Sequence, residues 1–264
     1  MPLNFCSLAS GSSGNCYLVR CGETAILVDV GISGKRIFEG LEYTDTPLEN
    51  VKAVLVTHEH IDHVQSLPVV TKKAVNAKAY ANEATWSNIN KKVAEEKKEY
   101  FNTGDEFKIG DITVKTFPLS HDAADPVGYS FYADGRQLSI VTDSGCITKE
   151  IFEEIVDADL LVLEANHEVE VLQMCSYPYK TKRRILGEFG HLSNVTAAKC
   201  ICKLMGAKDK ARRILLGHLS QQNNEPELAR MTITNILHEE DIYIGNQLQM
   251  EVIRRDTVSR IYEV

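Results

Sequence analysis

The chain has 264 residues, of which 44% are hydrophobic and 25% charged, close to the globular average and enough for one large α/β domain with a packed core. No apolar run approaches the ~20 residues needed to span a bilayer, and the first residues lack the basic-then-apolar order of a secretory signal. The net charge of −8 excludes a generally basic nucleic-acid coat, although bound cations would offset part of the acidic excess.

In chain order, strands are expected at residues 3–8 and 15–20, on either side of a turn of small residues at 10–15, and at 25–30, where the strand carries Asp29 and is broken by Gly31. Residues 51–57 form a continuous apolar strand that runs into a histidine cluster, and 62–72 read as a helix. The stretch 81–99, charged and mixed in sign, suits a solvated helical face. Strands return from Glu106 onward, at 112–119, 127–133 and 137–143, the last two split by the turn Ala133-Asp134-Gly135. A helix over 147–156 with Thr148 as N-cap is followed by a strand at 160–164, a helix at 195–205, a strand at 214–217, a helix at 226–237, and strands at 248–253 and 259–262. No linker marks a boundary, so residues 1–264 are expected to form one domain, with two mixed β-sheets packed face to face and helices outside.

The seven cysteines include no C-x-x-C pair and are scattered, which suits small buried hydrophobes in a reducing compartment; the cytoplasm is the expected location.

The chemistry concentrates in Thr57-His58-Glu59-His60-Ile61-Asp62-His63, which places three imidazoles and an aspartate within six positions directly after a buried strand. Imidazole nitrogen and carboxylate oxygen are the donors that a borderline divalent cation prefers, and a loop at a strand end can aim them from both sides.

His58-x-His60-x-Asp62-His63 resembles the HxHxDH signature of the metallo-β-lactamase superfamily. The remaining elements of that pattern follow in order: Asp29 at a strand end, His121 in PLSHD, Asp143 in IVTDSG and His218 in LLGHLS. The resemblance implies the four-layer αββα sandwich of that superfamily and two divalent ions, zinc or manganese with iron also compatible. One would take His58, His60 and His121. The other would take Asp62, His63 and His218, with Asp143 bridging and Asp29 orienting the loop. Two such cations lower the pKa of a bridging water and neutralise anionic oxygens of a substrate.

Glu164 at a strand end, and Gly190-His191-Leu192-Ser193-Asn194 before a helix, are similar to the series in the transfer-RNA 3′-processing nucleases and their phosphodiesterase relatives. There, by implication, His191 is the general acid and Glu164 its partner, since an alkoxide leaving group needs a proton. The opening Phe5-Cys6-Ser7-Leu8-Ala9-Ser10-Gly11-Ser12-Ser13-Gly14-Asn15-Cys16, together with GHLSN at 190–194, resembles the YycJ/WalJ group, regarded as containing DNA 5′-exonucleases. The expected activity is therefore that of a phosphodiesterase on nucleic acid, DNA favoured over RNA. The alternative is a small-molecule hydrolase, either a thioesterase or a cyclic phosphodiesterase. No membrane partner is expected.

Other features bear on the substrate. Lys180, Lys182, Arg183 and Arg184 lie beside Tyr177 and Tyr179, cations next to aromatics that suit phosphate contacts and base stacking. Ser12 and Asn15 could offer hydrogen bonds to a phosphate, and His167, three residues after Glu164, could join the site. The chain has no long arm of the transfer-RNA-processing kind and no room for the inserted domain of the β-CASP nucleases.

Overall fold

The computed structural model describes residues 1–264. Six strands, β1 (Leu3–Ala9), β2 (Cys16–Cys21), β3 (Thr24–Val28), β4 (Val51–Leu55), β5 (Lys78–Ala81) and β6 (Lys98–Tyr100), pair in sequence order. The first three run antiparallel and the next three join parallel to β3. A second sheet repeats that plan. β7 (Glu106–Ile109), β8 (Ile112–Pro118), β9 (Val127–Ala133) and β10 (Arg136–Val141) are antiparallel, and β11 (Leu160–Glu164), β12 (Arg212–Gly217) and β13 (Leu248–Val252) follow in parallel. The last strand, β14 (Tyr262–Glu263), returns to edge the first sheet beside β1.

Between the sheets lies a core built from alternate residues of both, among them Phe5, Tyr17, Ile26 and Leu55 from one and Tyr129, Phe131, Ile140 and Val162 from the other. The opposite face of the first sheet packs on α1 (Gly34–Tyr43), α2 (Ile61–Val64), α3 (Leu67–Lys73) and α4 (Glu83–Asn88). The opposite face of the second packs mainly on α5 (Lys149–Ile155), α8 (Asn194–Ala207) and α9 (Pro226–Glu239); α6 (Val169–Met174) and α7 (Tyr179–Ile185) form a separate bracket between β11 and α8. The central strands are buried on both faces, which is why they read as continuous apolar runs. The order of layers is αββα, as the sequence resemblance implied.

Several local expectations are corrected. The helix expected over 62–72 is broken at Gln65–Ser66, because Ser66 N–H donates to Val30 O and its hydroxyl to Ile32 O (2.6 Å), while Pro68 opens a new helix. Residues 81–99 are not a long helical face. Only α4, capped by Asn82, and a single 3₁₀ turn at Glu95–Lys97 form before the chain supplies β6; Trp86 Nε1 donates to Glu99 O (3.0 Å) to close that excursion. The expected strand at 259–262 shifts to 262–263. Three α-helices lie where no helix is expected: α1, capped by Ser33 with Ile37 and Leu41 inward, α6, and α7, which contains the basic run.

One glycine fixes how the histidine loop meets β3. A Cβ on Gly31 would stand 1.5 Å from Asp62 O, so only glycine lets the two backbones touch; Asn15 N–H donates to Asp62 O and Val30 N–H to His63 O. Gly31→Ala is expected to destabilise the fold by about 1–3 kcal/mol or more through this clash. Gly206→Ala, in open space near the end of α8, should raise stability by up to about 1 kcal/mol. Denaturant midpoints for the pair decide this: equal shifts would refute the steric reading of Gly31.

Candidate metal centre

Three of the expected site residues leave their strands in the left-handed region: Asp29 after β3 (φ 57°), Asp143 after β10 (φ 62°) and His218 after β12 (φ 55°). Non-glycine residues seldom adopt this conformation, and it clusters where a side chain must be re-aimed. Here it turns each side chain from the strand's alternating direction toward the space beyond the strand ends.

The loop after β4 supplies the densest part. Buried Asp29 accepts from Thr57 N–H (2.9 Å), Thr57 Oγ1 (2.9 Å) and His63 Nδ1 (2.7 Å). With its hydroxyl proton spent on Asp29, Thr57 Oγ1 is left to accept from His58 Nδ1 (3.0 Å). Gly190 O, which can only accept, holds His121 Nδ1 (3.0 Å). In all three rings the proton is thereby fixed on Nδ1, so that in the neutral ring the lone pair lies on Nε2. Burial and the neighbouring His63 hold His58 well below the ordinary histidine range, and burial lowers His121 as well, so both rings favour the neutral, ligating form. Burial opposes charge on His63, but Asp29 and Asp143 hold it well above that range.

The free nitrogens converge. Donor atoms of His58, His60 and His121 lie within 4.8 Å of one another, as do those of His58, His63 and Asp143. Asp143 faces both ways: Oδ2 is 2.8 Å from His218 Nδ1 and 3.5 Å from His63 Nε2, and Oδ1 is 3.9 Å from His121 Nε2. Asp62 Oδ2 lies 3.5 Å from His63 Nε2 and is the more exposed carboxylate. Burial opposes charge on Asp143, yet His218 and His63 hold it well below the carboxylate range.

This donor set fits divalent cations. Asp143 Oδ2 and His218 Nδ1 are buried and 2.8 Å apart, but neither makes an aligned hydrogen bond. Buried polar atoms without a partner are costly, and atoms that face a common centre rather than each other are what a cation satisfies. Nitrogen-rich ligation with carboxylates suits zinc or manganese. Asp29→Asn would keep the shape but weaken the grip on His63 and Thr57, with an expected 10- to 100-fold loss of metal affinity. Competition with a chromogenic chelator measures it, and unchanged affinity would remove Asp29 from the orienting role.

Beside the centre, His191 Nδ1 donates to Glu164 Oε1 (2.7 Å), and lies 3.7 Å from Asp143 Oδ1. Glu164, fully buried, also accepts from Ser144 N–H and Leu192 N–H through Oε2, so its carboxylate is fixed on both oxygens. Burial opposes charge on His191, but Glu164, by its charge and its hydrogen bond, carries the pKa up to about 9. Held by Nδ1 and still partly open to solvent, the ring keeps its Nε2–H free to donate.

The residues expected to meet substrate divide. Ser12 is exposed at the tip of its loop, near the centre because Gly11 bridges to Leu219. Asn15 is buried instead: its Oδ1 accepts from Gly11 N–H (3.0 Å) and its Nδ2 lies 3.2 Å from His63 Nε2, so it braces the centre from inside. His167 is sealed, 1% exposed, with neither ring nitrogen partnered; burial lowers its pKa to about 4. On α7, Arg184 is committed to a two-toothed ion pair with Asp122, next to His121, while Arg183 lies over the Tyr179 ring (6.0 Å) and Lys182 Nζ donates to Gln173 O. The roles of Thr57, Asp122 and Gly190 in holding these side chains are not expected from sequence. Thr57 and Asp122 adjoin histidines that are expected ligands, which was the available signal; nothing local marks a carbonyl such as that of Gly190.

Residues 24–219 match the Beta-lactamase superfamily domain. Over 253 residues the chain is 38% identical to Exodeoxyribonuclease YycJ of Bacillus anthracis, covering 95% of each. It is 37% identical over 262 residues to Exodeoxyribonuclease WalJ of Streptococcus pneumoniae, covering 97% of this chain and 96% of that one. Among solved structures, the metallo-beta-lactamase fold protein YhfI from Bacillus subtilis superposes with a TM-score of 0.73 at 17% identity, covering 98% of this chain and 100% of that one. With the fold shared along its whole length and the sequence shared at this level, the chain belongs to the β-lactamase superfamily and, within it, to the family of the YycJ and WalJ exodeoxyribonucleases.

Proposed function

We propose that the protein is a metal-dependent exodeoxyribonuclease that removes nucleotides from the 5′ end of DNA, with residues 1–264 acting as one catalytic unit. The names of its relatives support the substrate class. The observation that carries the chemistry is the His191–Glu164 pair, 2.7 Å apart and beside Asp143. A thioester releases a thiolate that needs no acid, whereas a sugar alkoxide departs only with a proton.

His58, His60 and His121 would hold one cation, and Asp62, His63 and His218 the other, with Asp143 shared. When bound, such cations supply positive charge for phosphate oxygens and a water acidic enough to ionise near neutral pH. The protein's own residues do the rest. Asp29 and Thr57 hold the ligand rings, and Glu164 keeps His191 protonated at Nδ1 and aimed, so that Nε2–H can be given to the leaving oxygen. Ser12 and the α7 cations not tied to Asp122 would contact flanking phosphates. No helix is long and apolar enough to cross a membrane, and the seven cysteines are all unbonded, which suits a reducing cytoplasm.

The test uses metal-stripped protein given manganese or zinc, with DNA labelled at either end and with RNA. Early release of the 5′ label as mononucleotide, abolished by chelator, is the expected result. Hydrolysis confined to thioesters or small cyclic phosphates would replace this reading with the small-molecule one.

A further inference from the structure

A turn beside the metal centre carries an aromatic ring in solvent. Residues 187–190 form a tight turn closed by Gly190 N–H to Gly187 O (2.9 Å) and continued by His191 N–H to Ile185 O (3.0 Å). From outside, Ser120 Oγ donates to Glu188 O (2.8 Å) and His121 Nδ1 to Gly190 O (3.0 Å). Gly145 packs against the same turn so closely that a Cβ there would meet Glu188 O at 2.2 Å. The backbone on both sides of Phe189 is thus clamped to the loop that carries His121, yet the Phe189 side chain is 60% exposed. Consecutive Cα atoms are ~3.8 Å apart, so its Cα stands within about 8 Å of that of His191, roughly the reach of one nucleotide.

A rigid turn could have buried this ring or carried a polar residue at no cost to its hydrogen bonds. The neighbouring charges are largely engaged: Arg184 by Asp122, and Arg183 against Tyr179. The turn therefore offers a nucleic acid an apolar ring on a fixed backbone, two residues from His191 and directly after α7. Aromatic faces bind unstacked bases without regard to sequence, because every base has a π-face.

Resting on the exonuclease reading, we propose that Phe189 is the stacking platform for the terminal nucleobase of the DNA strand being degraded. It selects for an unstacked base at that end and is indifferent to which base it is. Loss of one base–aromatic stack is expected to change the specificity constant roughly 5- to 150-fold.

The decisive experiment is a double cycle with metal-loaded protein, comparing wild type and Phe189→Ala on single-stranded DNA whose terminal nucleotide is either intact or abasic. Wild type should lose the stated factor on the abasic substrate. Phe189→Ala should lose it on the intact substrate and discriminate little between the two, with Phe189→Trp restoring the preference. In metal-free protein, anisotropy of labelled oligonucleotide should show the same pattern in affinity, a readout independent of turnover. An equal abasic penalty in wild type and Phe189→Ala overturns the role of Phe189 and leaves the nuclease reading standing. Wild-type protein that degrades no DNA overturns that reading, and this one with it.

Discussion

Replacing His191 with alanine should lower kcat on DNA by about 10²- to 10⁴-fold, the usual worth of a positioned general acid. Metal content, measured on the same samples by atomic emission, should stay at the wild-type level. The reason is geometric: His191 Nδ1 is spent on Glu164 Oε1 at 2.7 Å, so the ring is oriented as a proton donor. The deficit should shrink sharply on a p-nitrophenyl phosphodiester, whose leaving group departs without a proton. Glu164→Gln should fall between wild type and His191→Ala, because an amide still holds the ring but no longer keeps it charged. A wild-type rate in His191→Ala, or an equal deficit on both kinds of ester, would discard the acid role; loss of a cation would recast His191 as a ligand.

Asp143→Ala should have the larger consequence. This carboxylate is the one group whose two oxygens face the separate histidine sets, with Oδ2 toward His218 and His63 and Oδ1 toward His121. Its removal should leave at most one tightly held cation per chain and cost more than the ~10²- to 10³-fold expected from losing one charge-stabilising donor. Titration of the apoprotein with zinc, followed by calorimetry, counts the sites. Two sites of wild-type affinity in the variant would show that Asp143 does not bridge.

How much of this was legible beforehand follows from what each signal depends on. The histidine cluster, Asp143 and His218 could be read because ligand chemistry is carried by residue type and by order along the chain, and buried strands announce themselves as short apolar runs. The same logic located β11 and the Thr148 cap of α5 to the residue. What sequence could not supply is contact between distant backbones. The break after Val64 depends on Ser66 reaching Val30 and Ile32, and the buried role of Asn15 depends on Gly31 touching Asp62. A polar residue in a glycine-rich loop reads as solvent-facing until those partners are known. Likewise the basic run at 180–184 looked like uncommitted charge, and only its helix geometry revealed that Arg184 answers Asp122. The left-handed turns at Asp29, Asp143 and His218 carry only a weak composition signal: aspartate and histidine tolerate that region better than most residues, but they are also ordinary at strand ends.

The two sheets divide the centre between them: the loop after β4 brings His58, His60, Asp62 and His63 from one side, while His121, Asp143 and His218 arrive from the other. Cations seated there would act as rivets across the seam. Ions that bind only when both halves are in register must reinforce that register, by about 2.7 kcal/mol at a hundredfold excess over Kd. A chelator should therefore behave as a mild denaturant as well as an inhibitor, lowering the thermal midpoint, and the shift should shrink in Asp143→Ala protein, which keeps at most one ion across the seam.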